Sequence, residues 1–397
     1  MPAFNRSTVV IIGLSLVLLL SLGLWVYSFY FSSTRYALQR AEELFFRRMA
    51  VAQVDEAGIY RFFFVSNRQP LEGAKTWEGR FGSERQETLS FGAFKVKIEP
   101  SLGLGMIINP TQWFQNREIL IKEVTPLESS ALLQQVADLV EETPGRPLLV
   151  VVHGFREAFE SALRKTAFLG HVLDVNTPIL LFDWPGNQGS SMRGYRRASE
   201  VARASGLELA KTLELLIREV GPDRLSLIAN SMGAQVVVEA FGHLHAQEDL
   251  WQDGPPIEHL LLSAPDVDYS EFNETFRRFL ADLTRNSTVY VSSNDRALLA
   301  SRLLNGGRRL GESSLNPRQI PGTLPVVDYF PAPGEVTVVD VTPVNRTRNF
   351  HNFSLETPEF YDDIFLRLAN PQTPRSRLRY PVQTPNGTIY WVLTRGR

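Results

Sequence analysis

The apolar and polar positions divide the chain into three regimes. From Thr8 to Phe31 no charge, side-chain amide or proline interrupts a run of apolar and small residues. Wound as a helix at about 1.5 Å per residue, the run reaches roughly 36 Å, enough for a ~30 Å hydrocarbon core. Trp25, Tyr27 and Tyr30 gather at its far end, where amphipathic rings favour a membrane interface. Phe29-Tyr30-Phe31 is a poor signal-peptide cleavage site. The expectation is an uncleaved single span, with residues 1–33 as a membrane anchor. Arg35, Arg40, Arg47 and Arg48 follow it and only Arg6 precedes it, which favours a cytoplasmic body; Glu42 and Glu43 among them leave the side open.

Residues 34–57 carry mixed charge without Gly or Pro and read as a helical stalk. Residues 58–127 read as a β-rich leading region. Its strands are expected over Tyr60–Val65, Phe94–Ile98, where alternation suits a half-buried strand, and Ile119–Val124. After Glu128 strands and helices alternate. Helices are expected over 129–141, 157–173, 197–220 and 232–245. The matching strands are Leu148–Val152, Pro178–Phe182, Arg224–Ala229, His259–Ser263, Thr288–Ser292 and Glu335–Val341. Short runs rich in Val, Leu and Ile, apolar on both faces, predict a mainly parallel sheet flanked by helices over 128–370. In the extension 371–397, Pro385-Asn386-Gly387 signals a hairpin and Thr388–Leu393 a strand.

Charge and composition narrow the chemistry. Lys plus Arg number 41 against 43 Asp plus Glu, a net charge of -2, so no basic field points to a nucleic-acid partner. The absence of cysteine excludes disulfides, thiolate zinc sites, iron–sulfur clusters and a Cys nucleophile. Gly103-Leu104-Gly105 lacks the third glycine of a dinucleotide fingerprint.

One motif stands out against that background. The apolar run Leu225–Ala229 leads through Asn230-Ser231-Met232-Gly233 straight into a helix. This strand–turn–helix has the pattern of a nucleophile elbow, with Ala229 in place of its first glycine. Small residues two before and two after the serine are what so tight a turn demands. Ser231 is the candidate nucleophile, set against an ordinary N-capping serine. His153-Gly154-Phe155 closes the strand Leu148–Val152, so the backbone N–H groups of Phe155 and Met232 are the candidate oxyanion donors. His153 itself reads as a packed histidine that orients the loop. Of the six histidines, only His351 follows the last core strand by a loop, as the base of a Ser-Asp-His chain order would. Asp295, just past the strand ending at Ser292, is the candidate acid, although an N-cap role also suits it. Asp266, with Asp268 beside it in Ala264-Pro265-Asp266-Val267-Asp268, is the alternative. Trp184 to Arg197 reads either as a substrate-receiving rim or as a solvated loop and helix start.

These pieces together resemble the bacterial DUF900-type α/β-hydrolase family of uncharacterised, esterase/lipase-like proteins. The likeness rests on Val151-Val152-His153-Gly154-Phe155, Phe182-Asp183-Trp184-Pro185-Gly186, the Ser231 elbow, Ala264–Asp268, Val291–Leu298 and His351. Phe64-Val65-Ser66-Asn67-Arg68 and Phe91–Val96 extend it, so that it spans roughly residues 59–369. Asn230 stands where many relatives carry histidine, and His351-Asn352-Phe353 where a His-Ser-Tyr-like run is usual. The resemblance implies an α/β-hydrolase fold and the triad Ser231, Asp295 and His351. The expected activity is hydrolysis of a small-molecule or lipid-like carboxylic ester at a bacterial cell membrane, with no metal or organic cofactor. An acyltransferase or thioesterase would use the same residues, and a non-catalytic envelope scaffold would need only the fold.

Overall fold

The computed structural model describes residues 15, 17–21, 59–73, 79–98, 119–143, 145–173, 177–313, 336–347, 351, 353–369, 378–383 and 389–394. The expected stalk and the turn Pro385-Asn386-Gly387 lie outside these residues. Of the expected span, only Ser15 and residues 17–21 lie within them, helical and exposed. Among the described residues no helix is long and apolar enough to cross a membrane.

Among the described residues, eleven strands form one sheet. The chain begins with β1 (Ile59–Pro70), β2 (Phe81–Ile98) and β3 (Ile119–Leu127). It continues with α1 (Ser129–Glu142), β4 (Leu148–Val152), α2 (Phe159–Leu173), β5 (Ile179–Asp183), α3 (Met192–Ala204) and α4 (Gly206–Val220). Then come β6 (Leu225–Asn230), α5 (Gly233–His245), β7 (Ile257–Ser263), α6 (Arg277–Leu283), β8 (Thr284–Val291) and α7 (Arg296–Asn305). The last elements are β9 (Val336–Asp340), α8 (Phe353–Glu356), α9 (Pro358–Ala369), β10 (Arg379–Gln383) and β11 (Ile389–Leu393). In space the order is β10-β11-β9-β8-β7-β6-β4-β5-β1-β2-β3. From β11 through β1 every neighbouring pair is parallel; the two ends close with antiparallel partners.

Alternation along the central strands supplies both cores. Leu148, Val150 and Val152 face one side with α1, α3, α4, α5 and α6; Leu149 and Val151 face the other with α2 and α9. Both faces are dry, so β4 through β7 read as continuous apolar runs. All their carboxyl ends emerge along one edge, where loops can collect functional groups.

Three local expectations need correction. The single helix over 197–220 is two helices parted at Ser205, whose hydroxyl accepts the Asn67 amide at 2.9 Å. Gly206 then lets α4 lie against α5, since a Cβ there would come within 2.4 Å of Glu239 Cβ. The helical stretch from Tyr269 to Leu283 was not expected. It contains a π-turn over Phe272–Phe276, and Phe272, Phe276, Phe279, Leu280 and Leu283 form its buried face at helical spacing. β1 and β2 also run well past the expected apolar cores, because polar residues at their ends are paired rather than solvated.

The C-terminal hairpin is tied down by charge. Asp363 on α9 accepts from Tyr290 Oη at 2.7 Å and from the Arg379 guanidinium, all three side chains being buried. Removing one member of such a pair strands the other without compensation. Asp363→Ala is expected to lower unfolding free energy by about 3–5 kcal/mol in urea titrations. A change near zero would contradict this anchoring.

Candidate active site

Ser231 sits between β6 and α5 at φ 53°, a left-handed conformation that L side chains rarely adopt. The turn is over-determined by its neighbours. Its N–H donates to Ser263 O at 2.9 Å, and its carbonyl accepts from Asp266 N–H at 3.0 Å and Ala234 N–H at 3.1 Å. A Cβ at Gly233 would stand 2.4 Å from His153 O and 2.7 Å from Val152 O, so α5 can begin this close to β4 only with glycine there. Gly154, next along the same segment, also packs tightly, its would-be Cβ 3.2 Å from Ser231 Cβ. Packing against this segment therefore requires glycine at position 233.

His351 joins the serine from a chain distance of 120 residues. Its Nε2 lies 2.9 Å from Ser231 Oγ and its Nδ1 2.7 Å from Asp295 Oδ2. Asp295 both caps a helix and faces the imidazole. Its Oδ1 caps α7, accepting the Ala297 and Leu298 N–H groups at 3.0 Å each, while Oδ2 faces the imidazole. The cap holds one carboxylate oxygen while the other faces the histidine. The segment leading from β9 towards His351 is held by Asn345, which donates to Ser292 Oγ at 2.9 Å and to Asn294 Oδ1 at 3.1 Å. Ser354 Oγ donates to Asn230 Oδ1 at 2.8 Å, joining the far side of His351 to the elbow. Asn345 and Ser354 carried no signal in the sequence, because isolated polar residues are ordinary.

Asp266 occupies a different network. Oδ1 accepts from Arg309 Nε at 2.7 Å and Ser301 Oγ at 2.6 Å, and Oδ2 from Tyr195 Oη at 2.7 Å. Burial and the Asp266 charge push the Tyr195 phenol up, so it remains a donor. Beside the elbow, the N–H groups of Phe155 and Met232 make no hydrogen bond to the described residues. His153 is buried, with its ring stacked on Trp184 at 5.5 Å and 8°. Trp184, Pro185 and Gly186 are buried too, whereas Ser190 to Arg193 are exposed and Ser191 Oγ caps α3 through Gly194 N–H.

The electrostatics favour a charged His351. Burial works against the imidazolium, but the Asp295 charge and hydrogen bond, with Asp266 behind them, outweigh burial and the opposing Lys165. The net shift is upward. His259 goes the other way, pushed down to about 3 by burial within β7, with Arg367 adding to the effect.

A mainly parallel sheet covered on both faces, with a strained serine turn at its carboxyl edge, defines an α/β hydrolase. Residues 128–366 match the family described as alpha/beta hydrolase of unknown function (DUF900), and the chain belongs to that family. No curated protein matches it. Among solved structures it is similar to EstE1, a thermophilic, thermostable carboxylesterase cloned from a metagenomic library. Identity is 12% over 86% of this chain and 96% of that one, with a TM-score of 0.35. A predicted CIB-like hydrolase from Thermoplasma acidophilum is 14% identical over 57% and 88%, at TM-score 0.30. A hyperthermophilic esterase from the archaeon Pyrobaculum calidifontis is 10% identical over 87% and 79%, at TM-score 0.27. At these scores the likenesses say nothing about activity.

By NMR the His351 imidazole is expected to titrate above its ordinary 6.5, and Asp295→Asn to bring that midpoint down. A wild-type midpoint at or below the ordinary value would contradict the coupling.

Proposed function

We propose that the protein is a serine hydrolase that cleaves a carboxylic ester through an acyl-enzyme. One observation carries the reading: the unbroken hydrogen-bond line from Ser231 Oγ through both ring nitrogens of His351 to Asp295 Oδ2. In that line Nδ1–H donates to Asp295, which leaves Nε2 to take the hydroxyl proton. Ser231 Oγ attacks the acyl carbonyl, and the oxyanion receives the N–H groups of Phe155 and Met232. His351 then gives its proton to the departing alkoxide. Water, activated by the same imidazole, releases the acid and restores the serine.

The raised His351 midpoint sets a direction for activity. Only the neutral ring accepts a proton, so turnover rises as pH climbs through that midpoint. Asp266 serves the reading as a support for the elbow, since its N–H bonds Ser231 O and its carboxylate is paired with Arg309. The proposal also includes a membrane anchor at residues 8–31, supported by that run's freedom from charge, and a small-molecule or lipid-like ester as substrate at a bacterial cell membrane.

Three experiments test these points. A fluorophosphonate probe should label the wild type, and neither Ser231→Ala nor His351→Ala; equal labelling of wild type and Ser231→Ala rejects the nucleophile. On p-nitrophenyl acyl esters Asp295→Asn should lose about 10⁴-fold in kcat, while folded Asp266→Asn keeps most of its turnover. The reverse ranking would transfer the acid role to Asp266. For the anchor, the full chain should stay in the membrane pellet after an alkaline carbonate wash, and a chain lacking residues 1–33 should be released. Release of both would remove the anchor from the proposal.

A further inference from the structure

Two stretches noted in the sequence, Ser66-Asn67-Arg68 and Asp183-Trp184-Pro185-Gly186, meet against the 153–157 loop. Pairing of β1 with β5 ends at Ser66 opposite Asp183. Pairing of β1 with β2 shifts register between Ser66 and Arg68 and again between Arg68 and Pro70. Such an irregularity re-aims side chains. Here it leaves three consecutive polar residues, Ser66, Asn67 and Arg68, each 0% exposed.

Arg68 spends its whole guanidinium inside the protein. Nε donates to Asp183 Oδ1 and Oδ2 at 2.9 and 2.8 Å, and Nη1 to Asn187 Oδ1 at 2.6 Å. Nη2 donates to the carbonyls of Glu157 at 2.8 Å and Trp184 at 2.7 Å. Ser66 Oγ adds a bond to Asp183 Oδ2 at 2.6 Å. Burial alone would raise the Asp183 carboxyl, yet the Arg68 charge and His153 hold it below the usual carboxylate range.

The loop is grasped from the same side at successive residues. Trp184 Nε1 donates to His153 O at 2.8 Å, and His153 Nδ1 lies 2.9 Å from Gly154 O. Arg156, at φ 69°, donates its N–H to Gly186 O at 2.8 Å. Arg68 holds Glu157 O. Residues 153, 156 and 157 are thus all tied to the Arg68–Asp183–Trp184 assembly, and the N–H of Phe155 between them is left without a partner among the described residues.

We infer that Arg68 and Asp183 form a positioning unit that locks the 153–157 loop, so that the Phe155 N–H is already aimed at the developing oxyanion. The inference rests on the hydrolytic reading above. Its physical basis is that a donor stabilises a transition state best when nothing must reorganise as charge appears. A displacement of about 1 Å in such a group can slow a reaction by about 10²-fold. Arg68 touches no substrate; it acts through the loop.

The test measures the rate of fluorophosphonate labelling against pH for the full-length wild type, Arg68→Lys and Trp184→Phe. Lysine keeps the charge beside Asp183 and loses the planar fork. Trp184→Phe keeps Arg68 and deletes the indole N–H bond to His153 O together with part of the ring stacked on His153, which preserves a second route if the lysine variant does not fold. In each folded variant the plateau rate should fall by about tenfold to a hundredfold, with the pH midpoint of His351 unmoved. A role confined to holding the fold would lower the melting temperature and leave that plateau at the wild-type value. Wild-type plateau rates, or a displaced midpoint with an unchanged plateau, would overturn the inference. A wild type that fails to label at Ser231 defeats the hydrolytic reading itself, which is a separate result.

Discussion

A serine held at positive φ is the constraint on which the rest of the active edge depends. The conformation is costly for an L residue and persists only where the surroundings over-determine it. Here β7 accepts the Ser231 N–H, Asp266 and Ala234 bond its carbonyl, and the backbone of β4 presses so close that position 233 must be glycine. The strain turns the hydroxyl out of the sheet towards His351. It also sets the Met232 N–H at the head of α5, where the helix dipole favours negative charge. Packing of the central strands, rather than any single side chain, therefore determines where the chemistry can occur.

Around this turn the molecule uses buried carboxylates as junctions. Asp295 joins a helix cap to an imidazole, Asp266 joins α3 and α7 to the loop carrying Arg309, and Asp183 at the end of β5 joins β1 to His153 after β4. Each makes several charge-assisted bonds, which offset the desolvation that an isolated buried charge would suffer. Such networks add little stability over apolar packing but specify one arrangement. In the proposed hydrolysis a proton must move between fixed atoms, and that specificity is what matters.

The parts of this architecture that were legible in the sequence are those governed by local pattern. Continuous apolar runs marked β4 through β7 because both faces of those strands are covered. The pairing of Ala229 with Gly233 marked the elbow because only small residues fit there. His351 stood out because it alone followed the last core strand by a loop. What escaped notice depends on partners distant in the chain. Arg68 ends an apolar strand and looks like the start of a solvated turn; only the approach of Asp183, 115 residues away, makes it a core residue. The break at Ser205 likewise answers to a distant neighbour, Asn67. In the sequence Asp295 and Asp266 both follow a strand; only the folded chain shows that His351 faces Asp295.

The most direct measurement is a crystal structure of the protein after reaction with a small alkyl fluorophosphonate. The account predicts phosphorus bonded to Ser231 Oγ, with the phosphoryl oxygen about 2.7–3.1 Å from the N–H groups of both Phe155 and Met232. An adduct on another residue, or a phosphoryl oxygen turned away from both N–H groups, would contradict it.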